Sequence, residues 1–116
     1  MRINHLHLHV RDVARSRAFY EQHFGMRLKF EIKKDFIFLT DDGGMDFALS
    51  VEEEAPKAPD WFHFGFRLES ADAVEKMYDR LKEAGAQVSS KLGVYGTRVT
   101  FSVEDPDGYG VEVYFE

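Results

Sequence analysis

The sequence predicts an α+β fold in which one domain, residues 1–116, is built from two tandem βαβββ modules. Runs with the two-residue period of a strand alternate with runs at helical spacing. The same order of runs occurs twice, once at about 1–51 and once at about 60–116. A chain of 116 residues is also long enough to bury one core without disulfides.

The first module opens with a strand that is followed by a helix. The stretch "HLHLHV" alternates polar and apolar residues, so its three histidines share one face of a strand. Asp12 is suited to cap the next helix, and Gly25 is suited to end it. Three further strands are expected at "RLKFEI", "DFIFLT" and "MDFALSV".

The second module repeats this order of elements. A strand is expected at "WFHFGFRL", a helix from Ser70 to Gly85, and strands at "AQVSS", "TRVTFSV" and "YGVEVYFE". The spacing between His5 and His63 equals the spacing between Tyr20 and Tyr78. These matches indicate a duplicated unit, and the acidic, proline-bearing stretch 52–60 is expected to link the two copies.

Composition argues against several classes of protein. The net charge of −6 disfavours a nucleic-acid partner, because neutralising phosphates requires a surplus of Lys and Arg. We find no apolar run long enough for a membrane span and no signal segment, so we expect no membrane partner and a cytoplasmic location. The absence of cysteine excludes disulfides and thiolate ligands.

The apolar residues of each strand identify its core face, and the opposite face collects residues suited to chemistry. These are His5, His7, His9, His63, Arg67, Arg98, Glu112 and Tyr114. Sheet twist can curl this face into a cup, where two imidazoles and a carboxylate would suit a divalent metal ion. A sheet face open to bulk water would show the same pattern, so both interpretations stand at this point.

Three segments extend this pattern to a known family: "NHLHLHVRDVARSRAFYEQHFGMRL", "WFHFGFRL" and "FSVEDPDGYGVEVYFE". With the order of strands and helices, they resemble the vicinal oxygen chelate superfamily. That superfamily includes glyoxalase I, bleomycin-resistance proteins, fosfomycin-resistance thiol transferases and extradiol dioxygenases. The resemblance covers essentially the whole chain and implies a glyoxalase-like fold, in which two βαβββ modules form a metal- or ligand-binding cup.

The resemblance also implies a ligand set. The metal positions of the superfamily fall on His5, His63 and Glu112, for an ion that would be Fe, Mn, Zn, Ni or Co. Glyoxalase I has a further carboxylate ligand at a position that falls near Ala48, which cannot bind metal. The remaining three ligands are similar to those of the thiol transferases and dioxygenases. Short two-module members commonly pair, so a homodimer is expected.

Other residues on the polar face are candidates for contact with a substrate. His7 is the positional candidate for a catalytic base, although lining the pocket is our preferred interpretation of both His7 and His9. Phe36 and Phe38 would form an apolar wall, unless they are core and Ile37 and Leu39 face outward.

Four further side chains complete the predicted substrate-binding set. Asp46 lies two residues before Ala48 on the same face of its strand. Arg67 and Arg98 could grip a substrate carboxylate, or could pair with the acidic linker or Glu116. Tyr114 could donate its hydroxyl to a bound oxygen, or pack at the rim.

Two functions follow as hypotheses. The first is a metal-dependent enzyme that chelates a small oxygen-rich substrate on His5, His63 and Glu112, as a lyase or isomerase, a thiol transferase or a dioxygenase. The second is a metal-free small-molecule-binding protein of the bleomycin-resistance type. Binding of ligand that chelators do not affect would distinguish the second from the first.

Overall fold

The computed structural model describes residues 1–54 and 57–116. The chain divides into two compact units, Met1–Pro56 and Lys57–Glu116, which we call the first unit and the second unit. Within the stretch 52–60 that was predicted as a linker, positions 55 and 56 lie outside the described residues.

The first unit is a βαβββ unit with a four-stranded sheet. Its elements are β1 (His5–Val10), α1 (Val13–Phe24), β2 (Arg27–Lys33), β3 (Phe36–Thr40) and β4 (Asp46–Val51). The strand order is β1-β4-β3-β2. Strand β1 is parallel to β4, and β3 is antiparallel to both β4 and β2.

The second unit has the same topology. Its elements are β5 (His63–Arg67), α2 (Ala71–Glu83), β6 (Gln87–Tyr95), β7 (Arg98–Glu104) and β8 (Gly110–Phe115). The strand order is β5-β8-β7-β6, with β5 parallel to β8 and the other pairs antiparallel. The predicted α+β fold with two βαβββ units is therefore confirmed.

Both helices begin at the predicted capping residues. The side chain of Asp12 accepts a hydrogen bond from the Arg15 amide, and that of Ser70 accepts one from the Ala73 amide, each at 3.0 Å. These bonds satisfy amides that have no partner inside the helix. Helix α1 ends at Gly25, whose φ of 64° is the left-handed conformation that glycine adopts at little cost.

An aromatic residue of each helix packs on the apolar face of the sheet in its own unit. Tyr20 is fully buried, and its ring centroid lies 4.7 Å from that of Phe47. In the second unit the Tyr78 ring lies 5.1 Å from that of Phe101. Burial of one such aromatic side chain contributes about 2 kcal/mol. Tyr20 and Tyr78, which the sequence predicted to be equivalent, thus occupy equivalent packing positions in the two units.

The faces of β3 are resolved by burial. Ile37 and Leu39 are 1% and 0% exposed, so they belong to the core. Phe36 and Phe38 therefore share the opposite face with the histidines of β1. The Phe36 ring stacks 5.3 Å from that of His7, and the Phe38 ring stacks 6.0 Å from that of His5. Of the two alternatives given for Phe36 and Phe38, the apolar wall on the polar face is therefore correct, and the core position is not.

Strand β6 is longer than the sequence pattern predicted. The expected segment "AQVSS" is only its first half, because the strand continues to Tyr95. Pairing with β7 holds this extension, with Val94 opposite Val99 and Tyr95 opposite Arg98. The consecutive polar residues Ser89, Ser90 and Lys91 interrupt the alternation that would have identified it. None of the described helices has the length and apolar character needed to cross a membrane.

Candidate functional site

A polar cavity of about 560 Å³ lies within the second unit. The polar faces of β7 and β8, the start of β5 and the segment before it contribute to its wall. The residues of its lining that matter for chemistry are Lys57, His63, Ser90, Thr100, Ser102 and Glu112. Two of the three predicted metal ligands, His63 and Glu112, therefore line the same cavity.

Glu112 lies on β8 between β5 and β7. It is in register with Gly65 on one side and with Ser102 on the other. Its Oε1 accepts a hydrogen bond of 2.8 Å from the Thr100 hydroxyl. The same oxygen accepts hydrogen bonds of 3.0 and 3.3 Å from Nη2 and Nε of Arg98. Three donors thus converge on one carboxylate oxygen.

These contacts keep the Glu112 carboxylate ionised. Partial burial raises its pKa, because a charged group is less stable away from water. The hydrogen bonds from Thr100 and Arg98 and the charge of Arg98 outweigh this effect, so the pKa lies below its ordinary value. The Glu112 carboxylate is therefore anionic at neutral pH.

His63 presents its Nε2 to the second oxygen of Glu112. Its Nδ1 lies 3.3 Å from the main-chain oxygen of Trp61. A carbonyl oxygen only accepts, so Nδ1 carries the hydrogen and a neutral ring has its lone pair on Nε2. This Nε2 lies 3.8 Å from Oε2 of Glu112, beyond hydrogen-bonding distance.

This pair fits a divalent metal ion. Two ligand atoms that each lie about 2.1 Å from one ion can be no more than ~4.2 Å apart, and the observed 3.8 Å is within that limit. Metal-binding histidines usually donate their other N–H to a carbonyl or carboxylate, as His63 does to Trp61. Among residues 57–116 no cluster of three or more His, Cys, Asp or Glu able to hold an ion is present.

His5 in the first unit resembles His63 in its position and in the main-chain oxygen beside its Nδ1. It begins β1 as His63 begins β5. Its Nδ1 lies 3.1 Å from the main-chain oxygen of Asp46, so this ring also carries its hydrogen on Nδ1. Its Nε2 is therefore suited to metal binding in the same way. Among residues 1–54 as well, no ready-made cluster of three such side chains is found.

The carboxylate has no counterpart in the first unit. Ala48 is in register with His7 on β1, just as Glu112 is in register with Gly65 on β5. The position equivalent to Glu112 is thus occupied by a buried methyl group that cannot bind metal.

His7 and His9 lie on the same face of β1 as His5. The Nε2 of His7 lies 2.8 Å from the Ser50 hydroxyl oxygen, and its ring meets that of His9 edge to face at 5.2 Å. Burial, followed by the charges of His9 and His5, lowers the pKa of His7. His9, Phe36 and Ser50 also line a second cavity of about 510 Å³ within the first unit.

Two further candidates of the first unit have identified partners. Phe38 stacks with both His5 and Phe30, with centroid distances of 6.0 and 4.6 Å. The carboxylate of Asp46 forms an ion pair with Lys29. Asp46 is therefore already neutralised, whereas Phe38 belongs to an aromatic surface beside the histidines.

The candidates Arg67, Arg98 and Tyr114 do not belong to the lining of the cavity in the second unit among its described residues. The Arg67 Nη2 donates to the main-chain oxygen of Glu116 at 2.6 Å. Arg98 holds Glu112, and its guanidinium lies 3.8 Å above the Tyr114 ring. Arg98 thus contacts Glu112 and Tyr114, and Arg67 contacts the end of the chain after β8.

Sequence reasoning missed the contribution of Thr100. Thr100 lies on β7 and was not among the candidates that the sequence analysis named. Its hydroxyl forms the shortest of the three hydrogen bonds to Glu112. This contact could not be read from strand pairing alone. Thr100 is in register with Tyr114, and its hydroxyl reaches Glu112 diagonally.

Comparison with known proteins identifies the family of this chain. Residues 2–113 match the model of the Glyoxalase/Bleomycin resistance protein/Dioxygenase superfamily. A protein of Bacillus subtilis described as a "Probable trivalent organoarsenical cleaving enzyme" is 30% identical over 99% of this chain and 80% of its own length. "Metallothiol transferase FosB" of Lysinibacillus sphaericus is 32% identical over 97% of this chain and 80% of its own length.

The fold also matches a solved structure. A protein of Bacillus cereus described as a "possible Glyoxalase" superposes with a TM-score of 0.84 at 36% identity. The match covers 97% of each chain. The predicted glyoxalase-like fold is therefore confirmed.

Proposed function

Since the chain belongs to the Glyoxalase/Bleomycin resistance protein/Dioxygenase superfamily, we propose that it is a metal-dependent enzyme acting on a small oxygen-rich molecule. His63 and Glu112 would hold the divalent ion together with His5. The observation that carries this proposal is the arrangement of His63 and Glu112, whose facing atoms lie 3.8 Å apart. Each is oriented by hydrogen bonds of its own, so the pair is arranged before any ion binds.

The bound ion would act as a Lewis acid that stabilises negative charge developing on substrate oxygens. The chain supplies the remaining functions. Ser90 and Ser102 bring hydroxyl groups to the same cavity, where they can donate hydrogen bonds to substrate oxygens. His7 remains the proposed base, and His9 and Phe38 the proposed substrate contacts, from their places on the polar face of the first unit.

Thiol addition is the reaction class that we propose first. Ala48 removes the carboxylate that glyoxalase I chemistry would use in the first unit. Trivalent arsenic is strongly thiophilic, and these 116 residues contain no cysteine to bind it. Transfer of a thiol needs neither a carboxylate at position 48 nor a cysteine of the protein, and the relative named "Metallothiol transferase FosB" is 32% identical. The thiol would lose its proton to the proposed base His7 and form a C–S bond at an electrophilic carbon while the bond from that carbon to a substrate oxygen breaks; the oxygen would keep the electron pair and then take up a proton.

Metal content tests the proposal. Tag-free protein would be measured by mass spectrometry before and after chelation, with Fe, Mn, Zn, Ni and Co ions added back singly. We expect near-stoichiometric metal in the wild type and its loss in His63→Ala and His5→Ala. His23→Ala, which removes a histidine from helix α1, is the matched control. Absence of metal under every condition would overturn the proposal.

A second function is favoured by one observation. Thr100 and Arg98 already satisfy Oε1 of Glu112, and Arg98 already balances its charge, without any ion. A metal-free protein that binds a small organic molecule would use the same cavity. Such a protein would bind its ligand equally well with and without chelator.

We further propose that the protein is a homodimer in the cytoplasm. Pairing of two-module chains is common among similar proteins, and it would allow His5 to come from either copy. Analytical ultracentrifugation gives the oligomeric state. Co-expression of His5→Ala with His63→Ala chains would then show whether metal sites form between copies, because mixed dimers would recover one site only in that arrangement.

A further inference from the structure

We infer that Arg98 is a positioning residue, which fixes one carboxylate oxygen of Glu112 so that the other faces His63. This inference rests on the proposed metal site and adds a determinant of its affinity. Arg98 would not touch the ion or the substrate. It would act only through Glu112.

The hydrogen bonds of Glu112 are unevenly distributed over its two oxygens. Nη2 and Nε of Arg98 both donate to Oε1, at 3.0 and 3.3 Å, and the Thr100 hydroxyl donates to the same atom at 2.8 Å. Oε2 instead faces Nε2 of His63 at 3.8 Å. A carboxylate held at one oxygen by three donors has lost most of its rotational freedom, so little further ordering is required when an ion binds.

Arg98 is itself held in place. Its guanidinium carbon lies 3.8 Å from the centroid of the Tyr114 ring, and its Nη1 lies 3.8 Å from Oε2 of Glu116. The side chain is 30% exposed, so these contacts are partly shielded from water. A planar guanidinium stacked on a ring has few alternative conformations, which suits it to fix a neighbour.

The positive charge of Arg98 would also repel a metal cation, and this effect opposes the positioning effect. The repulsion is moderated because Arg98 lies beside two carboxylates, those of Glu112 and Glu116. The three side chains together carry one net negative charge, so an approaching cation meets an anionic group. We therefore expect positioning to dominate.

The duplicated fold provides an internal comparison. Thr100 pairs with Tyr114 on β8, and at the equivalent place in the first unit Phe36 pairs with Ser50 on β4. The unit that has Ala48 in place of the carboxylate thus also lacks the hydroxyl donor. Carboxylate and supporting donor occur together in the second unit, as expected if the donors serve the carboxylate.

The test measures Co²⁺ affinity by calorimetry and the visible Co²⁺ spectrum, with the metal alone and no substrate. Arg98→Met should weaken Co²⁺ binding by about 10- to 100-fold, the usual effect of removing a partner of a metal ligand. It should also change the Co²⁺ spectrum, which reports coordination rather than stability. Arg98→Lys retains the charge but not the planar pair of donors, so it should recover only part of the affinity.

Arg67→Met is the matched control. Arg67 lies in the same unit and loses the same charge, but it contacts Glu116 and the Phe115 ring rather than Glu112. Its Co²⁺ affinity and spectrum should equal those of the wild type. Thr100→Val removes one of the three donors at nearly constant volume, and it should weaken binding less than Arg98→Met. It carries the test if Arg98→Met fails to fold.

The outcomes separate this inference from the proposed function. Tight Co²⁺ binding by the wild type, with unchanged or tighter binding in Arg98→Met, Arg98→Lys and Thr100→Val, would overturn the role of Arg98 and leave the metal site intact. Equal weakening in Arg67→Met would also overturn it, because charge alone would then explain the effect. No Co²⁺ binding by the wild type would overturn both proposals.

Discussion

Oε2 of Glu112 and Nε2 of His63 face each other at 3.8 Å, each on a side chain that is held from behind. Trp61 holds the imidazole through a main-chain oxygen, and Thr100 holds the carboxylate through its hydroxyl. Two facing acceptor atoms that do not hydrogen-bond to each other can both be satisfied by a cation. A bound cation would therefore stabilise this arrangement, as the proposed function requires.

Replacing the carboxylate by an amide tests this interpretation. Glu112→Gln retains the size of the side chain but removes its charge, so we expect loss of stoichiometric metal. Stability should fall by about 1 kcal/mol, because the charged hydrogen bonds from Arg98 weaken in a partly exposed setting. Mass spectrometry and denaturant unfolding measure the two effects. Full metal content in Glu112→Gln, matching that of Glu75→Gln on helix α2, would contradict the interpretation.

The acid dependence of stability provides a second prediction. His7 has a lowered pKa, so below its ordinary value of 6.5 the unfolded chain binds a proton more readily than the folded one. Stability should therefore decrease as the pH falls below 6.5 and level off below the folded pKa. Glu112 acts in the same direction, but only below its ordinary value of 4.5. Thermal unfolding as a function of pH measures both.

Variants separate these two pH windows. His7→Gln should flatten the decrease in melting temperature that begins at about pH 6.5, because no imidazole titrates at that position. Glu112→Gln should leave this window as it is in the wild type and flatten the profile at lower pH. If the melting temperature of His7→Gln decreased as steeply as that of the wild type in this pH window, the assignment of the window to His7 would be contradicted.

The fold could be predicted from the sequence because its determinants are local. Alternation in "HLHLHV" identified a strand and its polar face, and Asp12 and Ser70 identified the helix starts. The second half of β6 was not predicted, because the consecutive polar residues Ser89, Ser90 and Lys91 break the alternation of polar and apolar residues that marks a strand. The resemblance to known proteins then supplied the fold-level arrangement that periodicity alone left open.

The candidate site was predicted in part. The alternation of polar and apolar residues placed His63 and Glu112 on one face of the sheet, and both line one cavity. The roles of Arg98 and Thr100 could not be predicted, because they depend on diagonal contacts between neighbouring strands and on side-chain conformation. Arg98 was expected to contact a substrate carboxylate or to pair with the acidic linker or Glu116; the ion pair with Glu116 is present, and the hydrogen bonds to Glu112 were not expected.

The helix caps predict local losses of stability. Asp12→Ala and Ser70→Ala each remove an acceptor from a helix amide at 3.0 Å, and each should cost about 1 kcal/mol. Asp12→Asn retains an acceptor and should cost less. Denaturant unfolding monitored by circular dichroism measures the losses. An unchanged unfolding midpoint in both alanine variants would show that these caps do not contribute.

Gly65 provides the last prediction, because it is where β5 approaches Glu112. A Cβ at this position would lie 2.9 Å from the main-chain oxygen of Glu112 and 3.2 Å from its Cβ. A main-chain atom cannot rotate away, so Gly65→Ala must move β5 relative to β8, and overpacking of this kind costs about 1–3 kcal/mol. Because His63 begins β5, we expect the same movement to weaken metal binding.

Gly43→Ala is the control for this substitution, since a Cβ there meets only the Asp41 side chain, at 3.4 Å or more. Denaturant unfolding and calorimetry with Co²⁺ would compare the two variants. Gly65→Ala should show both the lower stability and the weaker Co²⁺ binding, and Gly43→Ala neither. Lower stability with wild-type Co²⁺ affinity in Gly65→Ala would mean that the spacing of β5 and β8 does not control the site. The contact between Gly65 and Glu112 would then be a packing requirement of the sheet alone.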